Sequence, residues 1–349
     1  NIKRILLDQM HILWSQKMVE SHGLGDFYCN KHYQGKLDTT GWDYVSGLVA
    51  LSVLKTWEQY PEKTEYYASV KQFADNCLNE DGTLIVTKSG KSALRPSNID
   101  DLPAGRVFFT LYKEELRKGN NKDAERYRNA LSLVRNTLKF QQNRIGNDLP
   151  GAGGFYHKAI YPNQMWLDGL YMGSPVYAQW EDAFGKDNQS EFQSSWDDIA
   201  LQFKTLHEKT YNKEFQLNYH AWSALPTDSN SFWAKAQEPY LGCSKEFWAR
   251  GMGWYFAALV DVLEFMPTDH IDYQYMLTIT NQVASGLKRW QDEKSGLWYQ
   301  LLQYDSTMTA DGIGDQIVGK KYNVGTAANY LESSASSIFT YAYFKGIRL

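Results

Sequence analysis

Gly153-Gly154-Phe155-Tyr156-His157-Lys158, followed shortly by Met165-Trp166-Leu167-Asp168-Gly169-Leu170-Tyr171-Met172, is the stretch on which the reading of this chain turns. A glycine-rich, aromatic loop runs into apolar residues at helical spacing, and a carboxylate falls in the first turn of that helix. Outward from it the helical period continues nearly throughout, interrupted by loops rich in Gly, Pro and Asn. The spacing predicts helices near 2–20, 42–59, 64–78, 99–117, 122–141, 166–184, 189–208, 251–265, 270–290 and 329–345. Alternating, strand-like runs are confined to Thr83–Thr87 and Leu297–Gln303. An all-α chain is expected.

Alternate helices start alike. Gly41-Trp42-Asp43-Tyr44, Ile99-Asp100-Asp101, Met165-Trp166-Leu167-Asp168, Trp248-Ala249-Arg250-Gly251 and Asn329-Tyr330-Leu331-Glu332-Ser333 each set unusual polar or aromatic residues at a helix N-terminus. That is a degenerate repeat of helical hairpins. If every second helix runs the same way inside a toroid, all these starts open at one mouth, the architecture of an (α/α)6 barrel. The helices between, such as 64–78 and 122–141, carry Lys, Glu and Arg on one face and suit an outer ring. Ala104-Gly105, Gly169, Gly173, Gly251, Gly253 and Ala335 suit close inner packing, although glycine costs about 1 kcal/mol in a helix interior.

Composition narrows the function classes. The 349 residues suffice for one large barrel or two ordinary domains. A net charge of −4 with no basic stretch argues against nucleic acid, and no run of eighteen apolar residues argues for a membrane span. Cys29, Cys77 and Cys243 have neither disulfide-framework nor zinc-site spacing, and His157, His207 and His220 lack ligand spacing, so no metal is expected. The excess is aromatic: 15%, with 12 Trp and 24 Tyr, whose flat faces with polar tips suit sugar rings. A bacterial cytoplasmic or periplasmic monomer is expected.

Gly-Gly-Phe-Tyr-His-Lys (153–158), Met-Trp-Leu-Asp-Gly-Leu-Tyr-Met (165–172), His-Ala-Trp (220–222), Trp-Ala-Arg-Gly-Met-Gly-Trp (248–254), Trp-Gln-Asp (290–292) and Asn-Tyr-Leu-Glu-Ser-Ser-Ala-Ser (329–336) resemble glycoside hydrolase family 105, the unsaturated rhamnogalacturonyl hydrolases. The resemblance runs from about Trp42 to the C-terminus. It implies one (α/α)6-barrel catalytic domain over 1–349 that removes the 4,5-unsaturated uronic acid left at a non-reducing end by a pectin lyase. It implies no cofactor, since hydrating a vinyl ether needs none. Family members continue past Lys345-Gly346-Ile347-Arg348, so the chain is expected to lack the closing helical hairpin.

The resemblance assigns Asp168 as the acid that protonates C4 while water adds at C5, and Asp100 as the second carboxylate, with Asp101 the alternative. A carboxylate in a helix's first turn is held ionised by about 0.3–1 kcal/mol of helix dipole, which opposes its use as an acid. The expectation is that charged Asp100 keeps Asp168 protonated. His220 is assigned to a sugar hydroxyl or the attacking water, its alternative being a core histidine. Arg250 suits the substrate's carboxylate, unless it pairs with Glu246 or Glu332. Trp42, Tyr44, Trp166, Trp222, Trp248 and Trp254 are candidate sugar platforms, with Met172 one turn beyond Asp168 and His157-Lys158 on the preceding loop. Competing readings are an unsaturated glucuronyl hydrolase with the same chemistry, a sugar epimerase, which would want paired histidines on inner helices, and a non-catalytic glycan-binding barrel.

Overall fold

The computed structural model describes residues 42–84, 93–95, 97–306 and 329–349. The predicted helix near 2–20, Cys29, Gly41 and most of the 83–87 run lie outside them. Two compact units divide the chain, one ending at Gln142 and one beginning at Asn143.

In the first unit, α1 (Tyr44–Gln59) starts where extended Asp43 accepts the Val45 and Ser46 amides at 2.8 and 2.9 Å. Such a cap contributes about 1 kcal/mol. α2 (Thr64–Asn76) follows. The helix predicted over 99–117 is broken: 3-10 turns occupy Ile99–Asp101 and Pro103–Arg106, and α3 begins only at Val107, ending at Arg117. Pro103 lacks an N–H and restricts the residue before it, so an α-helix cannot run through 99–106. α4 (Asn121–Asn136) continues as a π-turn to Gln141. A Cβ on Gly47 would lie 2.4 Å from the Ala104 Cα, so α1 and the Pro103–Arg106 turn meet backbone to backbone.

The second unit opens with the 143–163 loops and the strand β1 (Gln164–Trp166), then α5 (Leu167–Phe184) and α6 (Gln189–Thr210). A short hairpin, β2 (Tyr211–Asn212) with β3 (Leu217–Asn218), leads into β4 (Ala221–Ser223). α7 (Ala249–Leu263), α8 (Tyr273–Arg289) and α9 (Ser333–Gly346) complete it. α7 packs between α5 and α9, and every residue of it except Arg250 is buried. An all-round apolar helix has to be interior. A Cβ on Gly253 would sit 3.3 Å from Ile338 on α9, which is the close approach expected of the small inner residues. α9 starts at Ser333 rather than 329 because the chain before it is bridged to 299–300, with Gln300 N–H donating to the Tyr330 carbonyl at 2.8 Å. None of the described helices is long and apolar enough to cross a membrane.

Candidate active site

The site in the second unit is assembled by a two-stranded ribbon. β1 and β4 pair antiparallel with Gln164 opposite Ser223 and Trp166 opposite Ala221. The next pair in register is Leu167 with His220, and the Leu167 amide donates to the His220 carbonyl at 2.9 Å. α5 begins at that point, so Asp168 leaves the ribbon beside His220. The His220 Nε2 and Asp168 Oδ2 are 2.8 Å apart, with the imidazole as donor to the ionised carboxylate.

Rings and a missing side chain fix the histidine. Trp166 and Trp248 meet it edge-on, at 5.4 Å and 62° and at 4.7 Å and 70°. Behind it stands Gly251 in the first turn of α7. A Cβ there would fall 2.8 Å from His220 Cδ2 and 3.6 Å from Asp168 Oδ2, so only glycine lets α7 come this near. Trp166 is itself stacked by His157 (4.7 Å, 5°) and Tyr161 (4.8 Å, 18°). Asn163 turns that loop through a left-handed φ of 58° and accepts the Tyr156 hydroxyl at 2.7 Å. His157 is buried and Lys158 half-buried.

Burial works to raise the Asp168 carboxyl, but the attraction of His220, its hydrogen bond and the nearby His157 overcome that. The net position is below the ordinary carboxylate range. This corrects the expectation of a protonated Asp168 in the unliganded protein: His220, assigned from the sequence to substrate or water, is bonded to the carboxylate itself.

Arg250 extends from α7 with its guanidinium carbon 4.6 Å from the Trp248 ring, and its Nη1 donates to Glu332 Oε1 at 3.0 Å. Of the two partners weighed for it, Glu332 is the one used. Glu332 is also the N-cap of α9, accepting the Ala335 amide and the Ser334 hydroxyl. The arginine side chain remains 37% exposed, and its other N–H groups bond no described residue.

In the first unit, Asp101 is buried and fully engaged. Its carboxylate accepts the Arg95 amide (3.0 Å), Arg95 Nε (2.9 Å) and Nη2 (2.7 Å) and Asn98 Nδ2 (2.9 Å), and its carbonyl accepts Trp42 Nε1 at 2.7 Å. Asp101 is therefore a loop clasp, which leaves half-buried Asp100 as this unit's candidate carboxylate. Tyr44 is half-buried at the start of α1.

Several expected platforms are packing residues instead. Trp42 is 3% exposed and stacked on Phe108, and Trp222, also 3%, bonds the Leu241 carbonyl. Met172 is buried in α5, and Trp254 is buried against Tyr171 at 4.7 Å. A large aromatic at helical spacing reads the same whether it faces a core or a sugar. Tyr161 stood outside the quoted motifs; Gly251 and Glu332 stood within them, but the place of Gly251 behind His220 emerges only once α5 and α7 are side by side. Among the described residues, no cluster of His, Cys, Asp and Glu could hold a metal ion.

Comparison with known proteins bears on this arrangement. The model of Glycosyl Hydrolase Family 88 matches residues 16–311. A glycoside hydrolase from family 105 of C. acetobutylicum is 31% identical, with a TM-score of 0.70 over 93% of this chain and 76% of its own. The chain belongs to glycoside hydrolase family 105. An unsaturated glucuronyl hydrolase of Bacillus sp. GL1, responsible for the degradation of glycosaminoglycan, shares the fold at 14% identity and a TM-score of 0.53, over 88% of this chain and 68% of its own. A 24.9 kDa protein in the picA locus of Rhizobium radiobacter is 33% identical over 120 residues, 34% of this chain and 41% of that relative's length. The fold class is the all-α (α/α)6 toroid of the solved neighbours. In this family 105 chain, the segments 153–158, 165–172, 220–222, 248–254 and 329–336 supply the contacts described around Asp168. The segment 290–292 does something else: Trp290 ends α8 and bonds the Phe215 carbonyl at 2.7 Å.

Proposed function

We propose that the protein removes the 4,5-unsaturated uronic acid from the non-reducing end of lyase-generated rhamnogalacturonan oligosaccharides, by hydrating the vinyl ether. The observation that carries this reading is the Asp168–His220 pair at the start of α5, with Gly251 behind it and Arg250 on the adjoining helix.

Each group has a task in that chemistry. Asp168 gives a proton to C4 as the C4=C5 bond opens, and water adds its oxygen at C5. The carboxylate takes the proton that the water loses, and the resulting hemiketal opens with release of the leaving sugar. No glycosyl-enzyme bond forms, so the paired carboxylates of ordinary glycosidases are not required. Arg250, exposed and stacked on Trp248, receives the substrate carboxylate. His220 holds Asp168 in the unliganded state and hands it over on binding. The incoming substrate brings a negative charge and excludes water, and both raise the carboxyl toward its protonated form. Asp100, in the first unit, remains the candidate for the second carboxylate.

The second reading, an unsaturated glucuronyl hydrolase, uses the same residues, and the shared fold of the Bacillus enzyme favours keeping it. One assay separates them. Unsaturated disaccharides prepared by lyase from rhamnogalacturonan and from chondroitin are incubated with the protein, and the ultraviolet absorbance of the conjugated double bond is followed. Faster loss with the rhamnogalacturonan product is expected. Faster loss with the chondroitin product selects the second reading, and no loss with either defeats both.

A further inference from the structure

The 235–246 loop borders an open cavity of about 550 Å³ whose lining includes Lys235, Gln237, Glu238, Tyr240, Lys245 and Glu246. None of these residues touches Asp168 or His220 among the contacts described above. The loop is pinned by its own backbone: the Lys235 amide donates to the Cys243 carbonyl at 2.8 Å, and the Gly242 amide to the Lys235 carbonyl at 2.9 Å. Gly242 holds a left-handed φ of 85°, and a Cβ there would lie 2.3 Å from the Ser223 carbonyl oxygen. The wall is thus tied to β4 and pre-shaped.

Inside it sits a cation that the nearby Glu246 carboxylate attracts without closing an ion pair. The half-buried Lys235 ammonium lies 3.6 Å over the Tyr219 ring and 5.4 Å from the Tyr240 ring, and it makes no hydrogen bond or ion pair with any described residue. Burial pushes its pKa down. Two carboxylates line the same cavity: Glu238 is exposed to solvent, and Glu246 accepts the Gln303 side-chain amide and the Tyr304 hydroxyl. Gln303 Oε1 behind it is buried without a partner. A partly desolvated ammonium beside tyrosine faces and amide groups matches a pyranose carrying a carboxylate: the anion restores what burial removed, and the ring stacks on the aromatic face.

We infer that this cavity binds a uronate residue of the saccharide chain, with Lys235 holding its carboxylate and Tyr240 and Gln237 its ring and hydroxyls. The choice of a uronate rests on the proposed function, because lyase products of acidic polysaccharides carry further uronates beyond the unsaturated one. The site would grip the chain away from the double bond.

The test uses a probe that has no double bond. Saturated trigalacturonate is titrated calorimetrically into the protein, into Asp168→Asn and into Lys235→Met, with cellotriose as the neutral control. Binding that persists in Asp168→Asn, weakens about tenfold or more in Lys235→Met and returns in part in Lys235→Arg is expected, since a charge-assisted contact of this kind is worth about 1.5–3 kcal/mol. Cellotriose should bind at least about tenfold more weakly than trigalacturonate, a comparison made on the unmutated protein. No binding, equal binding by both sugars, or binding lost in Asp168→Asn and kept in Lys235→Met overturns the inference. Failure of the hydrolase reading appears elsewhere, as an unsaturated disaccharide left intact.

Discussion

Two aspartates, Asp101 in the first unit and Asp168 in the second, occupy equivalent local positions at the opening turn of a helical segment, and both are largely shielded from water. Asp101 meets four N–H donors, three of them from Arg95, and both its oxygens are consumed by the loop that carries it. Asp168 has one side-chain hydrogen-bond partner, a histidine delivered from the residue before β4, 52 residues away. The contrast separates structure from chemistry. A carboxylate wrapped in short-range donors holds its own loop shut. One that depends on a single titratable partner can exchange that partner for a substrate.

Removing Asp168 should have the largest effect. Asp168→Asn is expected to lower kcat about 10³-fold or more while the thermal midpoint stays within a few degrees, in line with loss of an acid–base group. Retained turnover would place the chemistry elsewhere. In the unmutated enzyme, kcat/KM reports the unliganded Asp168, held below its ordinary range, and kcat reports it beside substrate. Since the acid must be protonated, the alkaline limb of kcat/KM should lie at lower pH than that of kcat.

A buried group held by neutral partners calibrates the comparison. His207 bonds the Tyr255 hydroxyl at 2.9 Å and Gln282 at 3.1 Å, and burial pushes its pKa down from 6.5 to about 4. The unfolded chain therefore takes up this proton first. Stability from His207 is complete above pH 6.5, is lost as pH falls toward about 4, and amounts to roughly 3 kcal/mol at about 1.4 per unit. Urea midpoints between pH 7 and 4.5 should fall less steeply in His207→Gln; parallel profiles would rule the histidine out as a source.

Asp101→Asn should cost about 1–3 kcal/mol in chemical denaturation, because a buried acceptor loses its guanidinium. Equal kinetic damage at Asp101 and Asp168 would break the contrast between them. Gly251→Ala should have the smallest effect, a fall in kcat/KM of about tenfold, because the new methyl displaces His220 by only a fraction of a side chain. As the histidine withdraws, Asp168 rises, so the alkaline limb of kcat/KM moves to higher pH. A fall in kcat/KM without that shift would mean that Gly251 acts on packing alone.

The helices were legible because their period and caps are local. Asp43 marks α1, and the apolar run over 249–263 can only be interior. Asp168 was legible through its motif, and the small residues of α7 through their spacing. The partners were less so, although Glu332 was one of the two weighed for Arg250. His220 reaches Asp168 through strand register, Arg250 finds Glu332 82 residues away, and neither pairing leaves a periodic trace. The break at Pro103 was visible in the sequence and was overridden by the apolar spacing around it. Trp42, Trp222 and Trp254 show why aromatic content suggests sugar binding and does not locate it: each indole is enclosed by its own fold.

Glu332 joins two duties in one side chain, anchoring Arg250 and capping α9. Truncation to alanine would remove both together, so an inactive alanine variant would mix a misplaced guanidinium with a frayed helix. Serine is the more discriminating replacement. It keeps a capping oxygen of the right reach and cannot extend to the arginine, so Glu332→Ser divides the residue's work between the helix and the ligand's charge.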